Sequence, residues 1–124
     1  MNDDFYDKTT VRQKISFLKD MTKEEFISQL IPLIKTDKHI HSAYIFGSFF
    51  TEHFHVDSDL DLIVVWETSI NFIERPLAFP ELQNLPFVID LLVYTPAEFE
   101  KIKNNPSPGF WRTAFSQMKV IIPG

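Results

Sequence analysis

Residues 60–66, Leu-Asp-Leu-Ile-Val-Val-Trp, are the most hydrophobic strand-like run of this chain. The run is β-branched and almost wholly apolar, and two aspartates, Asp59 and Asp61, stand at its start. A second strong run, Phe87 to Tyr94 (FVIDLLVY), carries a lone carboxylate, Asp90, among apolar neighbours. Ser42 to Phe46 (SAYIF) reads as a short buried strand that meets a tight turn at Gly47, and Lys119 to Ile122 as a final strand. Helices precede the first strand and separate the third from the last. Thr22-Lys23-Glu24-Glu25 is a capping box. Beyond it Phe26, Leu30, Leu33 and Ile34 share one apolar face, although Pro32 should kink that helix or end it early. Thr95-Pro96-Ala97-Glu98 opens another helix in the same manner, which must stop before Pro106. Gly109 to Gln117 is predicted to be the last helix.

Residues 48–57 read as a loop or short helix, and residues 67–86, punctuated by Pro76, Pro80 and Pro86, as a crossing segment on the surface. The expected class is α/β (α+β), one small sheet with helices packed on it. The 124 residues suit a single domain over 22–124. Residues 1–21 form an arm with at most a short helix from Thr10 to Lys19, where Val11, Ile15 and Leu18 recur at helical spacing.

Composition narrows the functional classes. The net charge of -5, with no run of Lys or Arg, argues against stand-alone nucleic-acid binding, which leans on phosphate neutralisation. The chain has no cysteine, which removes disulfides and thiolate metal sites. Its start is polar and acidic, unlike a secretory signal, and no apolar run is long enough to span a membrane, so a cytoplasmic location is expected. Thirteen phenylalanines imply a core rich in aromatic rings, or rings at a partner interface.

The aspartates carry the chemistry. Side chains alternate along a strand, so Asp59 and Asp61 share one face, roughly 7 Å apart. Like charges at the edge of a core call for a cation, and magnesium, which prefers carboxylate oxygen and leaves positions for phosphate, is the natural one. Folding would bury Asp90 unless the adjacent strand offered a metal or a donor. If the two strong strands are neighbours, three carboxylates converge, as two cations about 3.5–4 Å apart would require for in-line displacement at phosphorus. Upstream, Gly47 lets backbone approach a ligand, and Ser48 with the amides that follow could hold phosphate oxygens.

Each residue also has a plainer reading. The Asp59/Asp61 pair alone could be a polar turn. Asp90 could pair with Arg12, Arg75 or Arg112, and Ser48 could be a helix cap. His39, His41, His53 and His55 lack the spacing of a zinc site and read as surface histidines. Phe110 and Trp111 read as packing rather than base-stacking residues.

Gly47-Ser48, a ten-residue gap and Asp59-Leu60-Asp61 together resemble the signature of the minimal nucleotidyltransferase (MNT) group of the DNA polymerase β-like superfamily. Asp57-Ser58-Asp59-Leu60-Asp61-Leu62 is similar to that family's wording, and Asp90 falls where its third carboxylate would. The resemblance covers about residues 22–122 and implies a polymerase β-like palm, a small mixed β-sheet with helices packed on it. It implies transfer of a nucleoside monophosphate, AMP above all, from an NTP (ATP first) to a hydroxyl of a protein or small molecule, with release of pyrophosphate. Asp59 and Asp61 would bind two Mg²⁺ ions (or Mn²⁺), Asp90 would bind the ion nearer the acceptor and help activate its hydroxyl, and Gly47 and Ser48 would hold the β- and γ-phosphates. The family also suggests a partner, a HEPN-domain RNase silenced by adenylylation in a toxin–antitoxin pair. One departure stands out: many members carry a small-Arg-Gly stretch after the Gly-Ser, where this chain has Phe50-Thr51-Glu52. An acidic Glu52 near a triphosphate favours the alternative, a weakly active or inactive module of the same fold that occludes its partner.

Overall fold

The computed structural model describes residues 22–51, 59–85 and 88–123. The expected Thr10–Lys19 helix lies outside them, as do Glu52, His53, His55, Asp57, Ser58 and Phe87. Helix α1 spans Lys23–Ile34. Its capping box forms as expected: the Glu25 amide donates to the Thr22 hydroxyl at 3.0 Å and the Thr22 amide to the Glu25 carboxylate at 3.4 Å. Pro32 lies inside this helix, which ends two residues after it.

Strands β1 (Ile40–Phe46), β2 (Leu60–Trp66), β3 (Ile89–Tyr94) and β4 (Lys119–Ile122) form one sheet in the order β3-β2-β1-β4. β1 runs antiparallel to both β2 and β4, whereas β2 and β3 are parallel. β1 begins two residues earlier than its apolar run suggested, and its register shifts between Ile40 and Ser42, where the polar His41 interrupts the pattern. Helices α2 (Pro96–Asn104) and α3 (Phe110–Gln117) complete the fold. Thr95 and Glu98 cap α2 reciprocally, at 3.2 and 2.9 Å.

The sheet is covered on both faces, and β2 feeds both cores by strict alternation. Leu60, Leu62, Val64 and Trp66 pack with Phe26, Leu30 and Ile34 of α1. Ile63 and Val65 pack on the other face with Phe46, Phe99 and Ala114, from β1, α2 and α3.

The connection from β2 to β3 corrects the expectation of a surface crossing. It forms two 3₁₀ turns, Phe72–Ala78 and Pro80–Asn84, and sends Phe79 and Leu82 fully into the α1 core. Their three-residue spacing matches the 3₁₀ repeat, which the prolines obscured. Arg75, also buried, fastens this crossover. Its Nε donates to the Ile70 carbonyl at 2.8 Å, and its Nη1 to the Val93 carbonyl at 3.0 Å and to Glu98 Oε1 at 2.7 Å. The guanidinium holds the Glu98 carboxyl below the usual range for glutamate, mainly through the hydrogen bond. Such a carboxylate contributes stability above its ordinary pKa and loses it as pH falls through the lowered one. Arg75→Ala should therefore cost about 2–3 kcal/mol in denaturant unfolding near neutral pH, the low end for a broken buried pair because Glu98 is partly open to water. The variant should also show a weaker acid dependence than the parent.

Candidate active site

At the point where the α2/α3 core runs out, one row of side chains crosses the sheet on a single face. Phe46 of β1 is the cross-strand partner of Asp61 of β2, and Asp61 is the partner of Asp90 of β3. Directly opposed residues point the same way, so an aromatic ring and two carboxylates stand side by side. The Asp61 and Asp90 carboxyls are in hydrogen-bond contact. Asp61 is half-buried, and its pKa is raised from 3.8 to about 6. Burial is the largest cause, followed by the charge and hydrogen bond of Asp90 and lastly the charge of Asp59.

Asp59 stands just ahead of β2, exposed, and acts on Asp61 only as this weaker charge. The expected convergence of three carboxylates is thus a contacting pair with a third one step away. Asp90 departs from expectation in another respect: it is exposed, because β3 is an edge strand with a neighbour on one side only. It does not pair with Arg75, which is committed to Glu98.

The glycine turn abuts the same carboxylate. Gly47 has φ +74°, and a Cβ built on it would lie 2.2 Å from Asp61 Oδ2. The left-handed backbone disfavours any side chain there, and one would also force the Asp61 carboxylate to move. Ser48 lies inside the four-residue 3₁₀ turn Gly47–Phe50, rather than capping a longer helix, and its carbonyl accepts from the Thr51 amide and hydroxyl at 2.9 and 2.7 Å. Lys23 ties this turn to α1: its ammonium donates to the carbonyls of Phe49 and, at 3.1 Å, Thr51. Nothing in the local sequence flags that role, because the contact spans more than twenty residues.

The donors suit a hard divalent cation. They are carboxylate oxygens only, held together against their own repulsion, with no ion pair to a Lys or Arg among the described residues. No group of three or more His, Asp or Glu side chains among the described residues is placed to hold a metal ion. A magnesium ion does not need such a group, since it keeps several waters and takes one or two carboxylates plus phosphate oxygens. The residues therefore fit Mg²⁺ or Mn²⁺. His39 is exposed, and it and His41 join no metal-binding cluster among the described residues. No described helix is long and apolar enough to cross a membrane.

A family model described as "Polymerase beta, Nucleotidyltransferase" matches residues 28–122. Among solved structures, a toxin–antitoxin complex with AMP-PNP is similar at 21% identity and a TM-score of 0.54, over 77% of this chain and 71% of that one. A double Asp-to-Glu mutant of the toxin–antitoxin pair MntA–HpeT is similar at 18% identity and a TM-score of 0.52, over 77% and 70%. Comparison with characterised protein sequences gives no match.

Two outcomes follow from the geometry. Gly47→Ala should lower stability by about 2 kcal/mol or more, from the left-handed backbone and the clash together, as read from the urea midpoint. In metal-free protein, the raised Asp61 pKa means that the folded state binds the proton more tightly than the unfolded chain. This stabilisation is complete below about pH 4 and is lost as pH rises through about 6. Asp61→Asn should accordingly stabilise the metal-free fold at pH 7.5, by about 1 kcal/mol after allowing for solvent screening, and have little effect at pH 4.

Proposed function

Because this chain belongs to the polymerase β nucleotidyltransferase family, we propose that it transfers a nucleoside monophosphate, AMP first, from an NTP to a hydroxyl of a partner protein or a small molecule. The observation that carries this reading is the contact of Asp61 with Asp90 beside the glycine turn.

Asp59 and Asp61 would hold the divalent cations, and Asp90 would help to hold the one that serves the acceptor. Mg²⁺ at this position, when bound, neutralises phosphate charge and makes the α-phosphorus more electrophilic. Gly47 and Ser48 hold the β- and γ-phosphates, through the backbone amides of their turn and the Ser48 hydroxyl. Asp90, exposed on the edge strand, meets the incoming hydroxyl and accepts its proton. The acceptor oxygen then bonds to the α-phosphorus while the bond from that phosphorus to the α–β bridging oxygen breaks. Pyrophosphate leaves with the electron pair.

The acceptor we favour is a toxin protein, and within that class a HEPN-domain RNase. The likeness to toxin–antitoxin structures, one of them with a nucleotide analogue, supports a protein partner and a nucleotide. The alternative, a module that only occludes its partner, draws support from Ile73 and Leu77, which are 87% and 77% exposed on the crossover.

α-Labelled ATP with Mg²⁺ and the protein encoded beside this chain separates the two readings. Transfer of the α-label but not the γ-label, lost with EDTA and reduced on the order of 100-fold or more by Asp61→Asn or Asp90→Asn, is the expected result. Tight partner binding with no transfer, unchanged in both variants, would establish the occluding module instead.

A further inference from the structure

Phe26, Phe46, Phe49, Phe79 and Phe99 are all buried, yet Phe110 is 55% exposed. It opens α3 directly after Gly109, whose φ of +88° turns the chain and around which no atom lies within 4 Å of a notional Cβ. Two rings hold the Phe110 side chain edge-on: Phe46 at 5.8 Å and 86°, and Trp111 at 5.0 Å and 81°. Its orientation is thus set by aromatic packing, while half its surface faces water. Phe110 packs on these two rings as expected, with part of its surface left open, and Trp111 packs against Tyr94 and Phe115.

The location gives the exposed ring its meaning. Phe46, its support, stands next to Asp61 in the row that ends at Asp90. Phe110 therefore lies roughly 10 Å from the carboxylate pair, given the 5.8 Å ring separation and one cross-strand step. Its support Phe46 is the last residue of β1, directly before Gly47. A ribose and one phosphate bridge such a gap. A fixed, half-open aromatic ring suits the flat π-face of a base, at little entropic cost because its rotamer is already held.

We propose that Phe110 is the platform on which the base of the nucleotide stacks, a purine giving the larger overlap; this rests on the nucleotidyltransferase reading of the carboxylate site. The ring sets affinity for the nucleoside part and leaves the triphosphate to the glycine turn and the aspartates.

Calorimetric titration of the full chain with Mg²⁺-ATP and with Mg²⁺-tripolyphosphate, which has no base, tests this. Phe110→Ala should weaken ATP binding roughly 10-fold, while Phe110→Tyr and Phe110→Trp stay within about twofold of the parent, the range expected for one stacked ring. Tripolyphosphate affinity should be the same in all four proteins, and this also checks that the alanine variant keeps its site. If Phe110→Ala binds ATP as the parent does, or if the parent itself binds ATP no better than tripolyphosphate, the platform is overturned and the enzyme reading survives. Loss of partner binding in Phe110→Ala with ATP affinity intact would assign the ring to the partner and likewise overturn it. A parent that binds neither ligand removes the nucleotidyltransferase reading, and the platform with it.

Discussion

The parallel pairing of β2 with β3 is the constraint on which the rest depends. It sets Asp90 opposite Asp61, and a slip of one residue in that register would turn Asp90 to the other face of the sheet. Parallel neighbours cannot be joined by a tight hairpin and need a crossover of a dozen or more residues. Here the crossover is held by Phe79 and Leu82 in one core and by Arg75 bound to the Val93 carbonyl and Glu98. Arg75 touches neither carboxylate of the site, yet it locks the strand that delivers one of them. The free energy that keeps two like charges together thus comes from apolar burial and a guanidinium clamp elsewhere on the chain.

The two faces of the sheet divide the labour. The α1 face is closed along the whole of β2, from Leu60 to Trp66. The opposite face is apolar only as far as Ile63 and Val65, and one step further toward the strand's start the side chain is Asp61. A carboxylate at that boundary has a dry side and a wet side. The dry side raises its proton affinity, as the shift to about 6 records, and for the same reason strengthens its attraction for a metal ion. The wet side leaves room for phosphate. Had Asp61 lain two residues further along the strand, it would sit in the core with no route for a ligand.

Much of this was legible in the sequence, for identifiable reasons. The β2 run, both capping boxes and the stop before Pro106 are local signals, and each appears at its expected residues. Strand period alone leads to the expectation that Asp59 and Asp61 share a face, but Asp59 lies one residue ahead of β2. Features that depend on long-range pairing were hidden. An isolated aspartate in FVIDLLVY reads as buried, and only the edge position of β3 explains why it is exposed. Prolines in the crossover read as surface punctuation although they shape 3₁₀ turns that feed the core. The bonds of Lys23 to the glycine turn and the packing of Phe110 on Phe46 join residues far apart in sequence, for which no pattern exists.

The row across the sheet also has a direction. Phe46 and the glycine turn belong to β1, Asp61 to the central strand, and Asp90 to the open edge. The positive-φ turn at Gly47 has no side chain, and this lets the Asp61 carboxylate lie close against it on the β1 side. On the other side, Asp90 meets solvent with no further strand beyond it. A nucleotide held from β1 would point its α-phosphorus toward the edge, and an acceptor can approach from there without displacing any strand. On the proposed mechanism, the asymmetry in exposure between two aspartates of the same chemistry would divide their work. The enclosed one suits a partner that arrives with the nucleotide and neutralises it, and the open one suits a proton that must leave.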